Sequence, residues 1–214
     1  MDGSQLEPGA MVELPAPETD GSMAVEAAMT RRRSRREIAG GSLDCETVGQ
    51  LLWAAQGITD EQGGFRTAPS AGATFPLEVY LLVGADGVPD LDPGVYAYRP
   101  AAHALELQSL GDVRADLRAV ALDQSWLETA PVTVLLASVD ERTAQKYGDR
   151  APERYVPMEA GHAGQNLYLQ VESLELATVA VGAFEDEAVG ELVGLDADER
   201  PLYLFPVGRR VDSH

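Results

Sequence analysis

Helical and strand-like segments mix along this chain with a hairpin among them and without a regular strand–helix–strand alternation, which argues for an α+β fold. The run Leu77-Glu78-Val79-Tyr80-Leu81-Leu82-Val83 reads as a strand. Asp92-Pro93-Gly94 reads as a turn, 95–98 as a strand and 104–107 as its hairpin partner. Pro131 opens an apolar strand over 132–139, and shorter strands fall at 178–181 and 202–207. Helical spacing marks 112–121, 185–193 and, as the longest pattern, 153 to about 174, with Met158, His162, Gln165, Leu169 and Val171. Near the N-terminus Ser22 is placed to cap a short helix ending about Arg31. Ser42 or Asp44 starts a second helix, with Val48, Leu51, Leu52 and Ala55 on one face and Gly57 as its C′ residue. A glycine-rich loop covers 63–72. Residues 1–21, with Pro8, Pro15 and Pro17, read as an extended or disordered arm; 22–210 make the folded domain and 211–214 a tail.

The 214 residues suit one domain with a real core. The charge constrains partners. Asp and Glu number 35 against 16 Lys and Arg, a formal net charge of −19, so broad binding to nucleic acid is excluded. The basic residues are all arginine except Lys146. Acidic excess with almost no lysine suits a halophilic protein, because in about 1 M salt the screening length falls to about 3 Å. A GC-rich genome gives the same bias. Cys45 stands alone, and His103, His162 and His214 show no metal-ligand spacing, so no metal is expected. No apolar run is long enough to span a bilayer and no leader pattern opens the chain, which predicts a soluble, cytoplasmic protein without membrane contact.

Four segments are candidates for chemistry. Arg31-Arg32-Arg33-Ser34-Arg35-Arg36 gathers five of the 16 basic residues. It reads as a solvated basic turn at a helix end, or as a clamp in which guanidinium forks and a hydroxyl hold one compact phosphate. Arg66-Thr67-Ala68-Pro69-Ser70-Ala71-Gly72-Ala73 is an ordinary loop before a strand, or a segment whose small residues let backbone N–H groups approach a flat ligand. Lys146-Tyr147, expected just after a short helix, is a solvated lysine beside a packing tyrosine, or a proton acceptor tuned by its neighbour. In Glu159-Ala160-Gly161-His162-Ala163-Gly164-Gln165-Asn166, the two glycines leave a flat strip for a second helix or subunit. His162 reads as a hydrogen-bonded core histidine rather than a ligand.

Together these segments resemble one family. Leu14-Pro15-Ala16-Pro17 followed by Arg32-Arg33-Ser34-Arg35-Arg36, an R-R-S-x-R pattern, resembles the opening of the nitroreductase superfamily. Leu51-Leu52-Trp53-Ala54-Ala55-Gln56-Gly57-Ile58 and Arg66 to Ala73 are similar to its SagB-type branch, which includes the thiazoline/oxazoline dehydrogenases of modified-peptide biosynthesis. Pro93-Gly94-Val95-Tyr96, Glu141-Arg142-Thr143, Lys146-Tyr147-Gly148, Glu159 to Leu167 and Leu202-Tyr203-Leu204 continue the resemblance in the same order, over about 14–208.

The resemblance implies an FMN-binding fold whose mostly antiparallel sheet is flanked by helices, in a domain-sharing homodimer with flavin at the subunit interface. It implies that Arg32, Arg33, Ser34 and Arg36 meet the FMN phosphate and ribityl chain. Pro69, Ser70, Ala71 and Gly72 would form a second flavin-contacting loop, and Gly182 and Ala183 would lie near the ring. A C-terminal basic residue, Arg209 or Arg210, would approach the phosphate, and Lys146 and Tyr147 would be catalytic. The implied reaction is two-electron oxidation of a small molecule or azoline-containing peptide by hydride transfer to flavin N5. Two alternatives are an NAD(P)H-dependent nitro- or quinone-reductase and a non-catalytic flavin-binding partner subunit. Ala73-Thr74-Phe75-Pro76-Leu77 stands where typical nitroreductases carry Asn-x-Gln-Pro-Trp. Peptide-binding and cyclodehydratase functions would belong to separate biosynthetic partner proteins, or the substrate is not a peptide.

Overall fold

Two segments are apolar at nearly every position, and the reason is that both faces of their sheet are covered. In the computed structural model, which describes residues 6–60 and 62–211, β1 (Met11–Glu13) is followed by α1 (Val25–Arg31), β2 (Ile38–Ala39) and α2 (Cys45–Gln56). A small hairpin of β3 (Ile58–Asp60) and β4 (Phe65–Arg66) comes next. Then come β5 (Leu77–Val83), β6 (Gly94–Arg99), β7 (Ala104–Leu110), α3 (Arg114–Val120), α4 (Trp126–Thr129) and β8 (Val132–Val139). The chain closes with α5 (Asp140–Tyr147), α6 (Val156–Ser173), β9 (Leu176–Thr178), α7 (Asp186–Val193) and β10 (Glu199–Arg210). The main sheet has the order β1-β7-β6-β5-β8-β10-β2, with β9 also on β10, and every pairing in it is antiparallel.

Side chains alternate across this sheet with period two. Leu77, Val79, Leu81 and Val83 of β5, with Val132, Val134 and Leu136 of β8, join a core under α2 and α6. Tyr80, Leu82, Leu135 and Ala137 point the other way, into a second core with Leu117, Leu127, Val189 and Val193 from α3, α4 and α7. Val48, Leu51 and Leu52 of α2 are wholly buried, each side chain contributing roughly 1.5–3 kcal/mol of apolar burial. Asp44 caps α2 by accepting from the Thr47 N–H at 2.8 Å, which holds its carboxyl below the usual range.

Several local expectations are corrected. The α1 helix is preceded by Ala24 rather than capped by Ser22. Gly57 does end α2, but at φ −62°, outside the left-handed region; its need for glycine is steric, since a Cβ would stand 2.1 Å from Trp53 Cδ1. The long helix divides into a π-helical turn, Ala151–Tyr155, and α6, with Pro157 in the first turn of α6. Lys146 and Tyr147 lie in the last turn of α5, not after it. His162 is exposed; His103 is instead the histidine held from both sides, by Tyr98 Oη at 2.8 Å and Pro15 O at 2.9 Å. Gly164 presses on Phe205, where a Cβ would meet Cζ at 2.8 Å, whereas Gly161 faces open space. Within 1–21, Met11–Glu13 pair with β7, while 1–5 lie outside the described residues, as do 212–214 with His214. Among the described residues no helix is long and apolar enough to cross a membrane.

Candidate active site

The arginine run starts at Arg31, the last residue of α1, and one member of it does structural work. Glu172, near the end of α6, is 1% exposed. Its carboxylate pairs with the Arg35 guanidinium and, at 2.8 Å, with Arg210. It also approaches the Arg33 N–H at 3.3 Å, and the Arg35 N–H donates to Thr178 O at 2.8 Å. This anchor fixes the run against α6, β9 and β10. Arg35 is the position that the R-R-S-x-R pattern leaves free.

The other members keep their charges uncommitted. The Arg32 guanidinium lies 5.1 Å from the centre of the Tyr168 ring, and Arg36 lies 5.7 Å from Trp126. Arg33 donates to the carbonyls of Thr30 and Arg32 at 3.0 and 2.8 Å. Among the described residues none of these three holds a carboxylate within ion-pair distance, in a chain of net charge −19. Ser34 Oγ and Tyr168 Oη are 2.8 Å apart, and Tyr168 Oη accepts from the Ala180 N–H at 2.8 Å. Tyr168 thereby ties the run to Ala180, two residues before the exposed Gly182-Ala183 segment, whose Ala183 O accepts from Gln124 at 2.9 Å. Arg209 is not brought to this group. Adjacent strand residues face opposite ways, so Arg210 reaches Glu172 while Arg209 donates to Ser42 O at 3.3 Å.

A second group forms where α5 meets the loop after β4. Lys146 Nζ donates to Gly72 O at 3.2 Å. Gly72 has φ +65°, and a Cβ on it would lie 2.6 Å from Tyr147 Oη and 2.7 Å from Lys146 Nζ. Thr74 Oγ1 meets Thr143 Oγ1 at 2.7 Å, and Arg142 donates to Phe75 O at 3.2 Å. The Tyr147 ring packs 4.6 Å from that of Tyr155. Thus Ser70, Ala71 and Gly72 share a surface with Lys146 and Tyr147, while Pro69 stands exposed beside them. Behind the loop Arg66 donates to Gln56 Oε1 at 2.8 Å and lies 4.5 Å over the Phe75 ring. Glu159 of α6 is buried there, and desolvation pushes its carboxyl up to about 6.

The two groups stand at different levels of α6. Glu159 and Tyr168 are nine residues apart, about 13 Å along the axis. Sequence reasoning missed Tyr168 and Glu172, while Glu159 and Gln56 stood inside segments it singled out but without a role of their own. Glu159 and Glu172 flank the apolar row Ala160, Ala163, Leu167 and Val171 of α6, and acids at such positions signal buried partners. A cavity of about 380 Å³ lies elsewhere, between the N-terminal segment, α2 and α6, with Met23, Trp53 and Asn166 on its wall; none of the expected site residues lines it.

Comparison with known proteins shows the family. The nitroreductase family model matches residues 29–209. A Methanocaldococcus jannaschii protein assigned as a nitroreductase is 41% identical over 204 residues, covering 95% of this chain and 100% of that one. The Microcin B17-processing protein McbC of Escherichia coli is 25% identical over 185 residues, covering 82% and 68%. The crystal structure of a Ralstonia eutropha protein assigned as a nitroreductase superposes with TM-score 0.80 and 26% identity, covering 99% of this chain and 97% of that one.

Proposed function

The chain belongs to the nitroreductase family and is an oxidoreductase, and from that premise we propose that it is an FMN-dependent dehydrogenase of the SagB type. The observation that carries this reading is the contact of Lys146 and Tyr147 with Gly72, segments more than 70 residues apart in sequence. Similarity to McbC, a microcin-processing protein, supports an azoline-containing peptide or a related small molecule as substrate.

The residues present fit FMN. Arg32, Arg33 and Arg36, which hold no carboxylate among the described residues, make with the Ser34 hydroxyl a cationic patch suited to a phosphate. Gly182 and Ala183, which follow the Ala180 that Tyr168 links to Ser34, would flank the ring from one side, and Ser70 to Gly72 from another. FMN, when bound, supplies the hydride acceptor. The chain's own groups then have defined tasks. Tyr147, as its phenolate, takes a proton from substrate and becomes the neutral phenol, and Lys146, 5.8 Å from the Tyr147 ring centre, offsets the phenolate's charge before that transfer.

The expected residues stand on open surface rather than in the 380 Å³ cavity. Val25, Met29, Phe65 and Met158 also expose large apolar side chains. Both features favour a homodimer in which a second copy walls the flavin site. Other biosynthetic proteins would install the azoline.

The purified protein should carry a visible flavin spectrum and oxidise an azoline peptide, with that activity lost in Lys146→Ala and Tyr147→Phe. The 41% identity to a protein assigned as a nitroreductase favours a second reading, NAD(P)H-dependent reduction of nitroaromatics or quinones. Steady NADPH consumption with such acceptors, unaffected by Tyr147→Phe, would select it. Colourless protein, unable to take up added FMN, would refute both.

A further inference from the structure

Glu159 lies in the first turns of α6, is 2% exposed, and has no hydrogen-bond partner at either carboxylate oxygen among the described residues. Three groups face it: the Arg66 guanidinium from β4, and the Ser70 hydroxyl and Ala71 N–H from the loop. On its own helix the nearest titratable neighbour one turn on, His162, is exposed. Arg66 is already bound to Gln56 and does not close on Glu159 as an ion pair. Ser70 and Ala71 lie near enough to favour the charged carboxylate but do not reach hydrogen-bond geometry.

The loop in front of this carboxyl is strained. Ala73 has φ 55° and Phe75 φ 46°, left-handed conformations that are costly in a residue with a side chain. Such a turn persists only where its surroundings over-determine it. Ser70 is the hub: its carbonyl accepts from the Ala73 N–H at 3.2 Å and its Oγ accepts from the Phe75 N–H at 2.9 Å. A hydroxyl that accepts still has its own proton to donate, and Glu159 is the carboxylate beside it.

We propose that Glu159 is a positioning residue for the Ser70–Phe75 loop: its ionised carboxylate draws in the Ser70 hydroxyl and Ala71 N–H, so losing the charge loosens the turn that carries Gly72 against Lys146 and Tyr147. The physical basis is reciprocity. Ser70 and Ala71 stabilise the charged form, so the charged form stabilises their positions by the same free energy. Burial opposes ionisation and outweighs those contacts, which brings the switch into a mildly acidic range. The consequence for catalysis rests on the proposed flavin site; the effect on the loop does not.

Amide hydrogen exchange of the full chain, without added flavin and again with FMN, tests this. Corrected for intrinsic rates, exchange across 70–75 should rise roughly tenfold between about pH 7.5 and pH 5, the weight of one charge-assisted hydrogen bond. Glu159→Gln should show the faster exchange at both pH values, while β5 amides stay as in the native chain. Ser70→Ala should also abolish the pH step and serves if Glu159→Gln fails to fold. A native pH step retained in either folded variant, or no step in the native chain, would overturn the proposal. Protein that never takes up FMN would sink the flavin reading and leave the exchange result standing.

Discussion

Replacing Gly72 by alanine should disable the site while leaving the fold in place. Gly72 sits at φ +65°, where an alanine costs about 1–2 kcal/mol. Its Cβ would fall 2.6 Å from Tyr147 Oη, 2.7 Å from Lys146 Nζ and 2.8 Å from Lys146 Cδ. All three atoms are outer parts of side chains, and Lys146 is exposed, so the overlap is relieved by swinging Lys146 and Tyr147 outward. The exposed hydrogen bond from Lys146 to Gly72 O, lost in that movement, contributes about 1 kcal/mol at most. The total is about 1–3 kcal/mol, or a Tm lowered by roughly 2–12 °C for a chain this long. Turnover should fall far more, because displacing a catalytic group by about 1 Å costs on the order of a hundredfold. Gly161→Ala is the matched control: no atom lies within 4 Å of its Cβ position, so Tm and turnover should stay near native. The assays are thermal unfolding and turnover with whichever substrate the native protein uses, on samples matched for flavin absorbance. A Gly72→Ala protein with native turnover and native Tm would mean that Lys146 and Tyr147 do not act from their positions against this loop.

Other variants probe the buried carboxylates and the arginine run. Burial pushes the Glu159 carboxyl from 4.5 up to about 6, so above that pH the folded state bears the whole cost of a buried charge, about 2 kcal/mol. As pH falls from about 6 to 4.5 the folded state takes up its proton first and the cost disappears. Glu159→Gln should therefore raise stability by up to about 2 kcal/mol near pH 7.5 and by nothing near pH 4, read by urea unfolding at both; a loss of stability near pH 7.5 would refute this. Glu172→Ala leaves Arg35 and Arg210 without their shared buried partner and should cost about 3–5 kcal/mol by the same measurement. Arg32→Ala with Arg36→Ala should keep the native Tm yet weaken FMN binding at least about a hundredfold, from two charge-assisted contacts at roughly 1.5–3 kcal/mol each; unchanged flavin retention on dialysis would contradict it.

The sequence by itself determined what periodicity and composition encode. The near-continuous apolar runs 77–83 and 132–139, the hairpin near 94–110 and the helical spacing of α2 and α6 are local patterns, and each reappears as an element. Five arginine charges within six positions are equally visible in the bare sequence. Tertiary structure decided which of those charges are spent. Only packing against α6 and β10 shows that Arg35 and Arg210 are consumed by Glu172 while Arg32, Arg33 and Arg36 are left over. Only the meeting of α5 with the 70–75 loop shows why Gly72 is a glycine and puts Lys146 and Tyr147 beside it. Helix and strand patterns arise from contacts a few residues apart, whereas burial of Glu159 and Glu172 depends on chain segments tens of residues away. The cost of an isolated charge, and so its chemistry, is fixed by those distant neighbours.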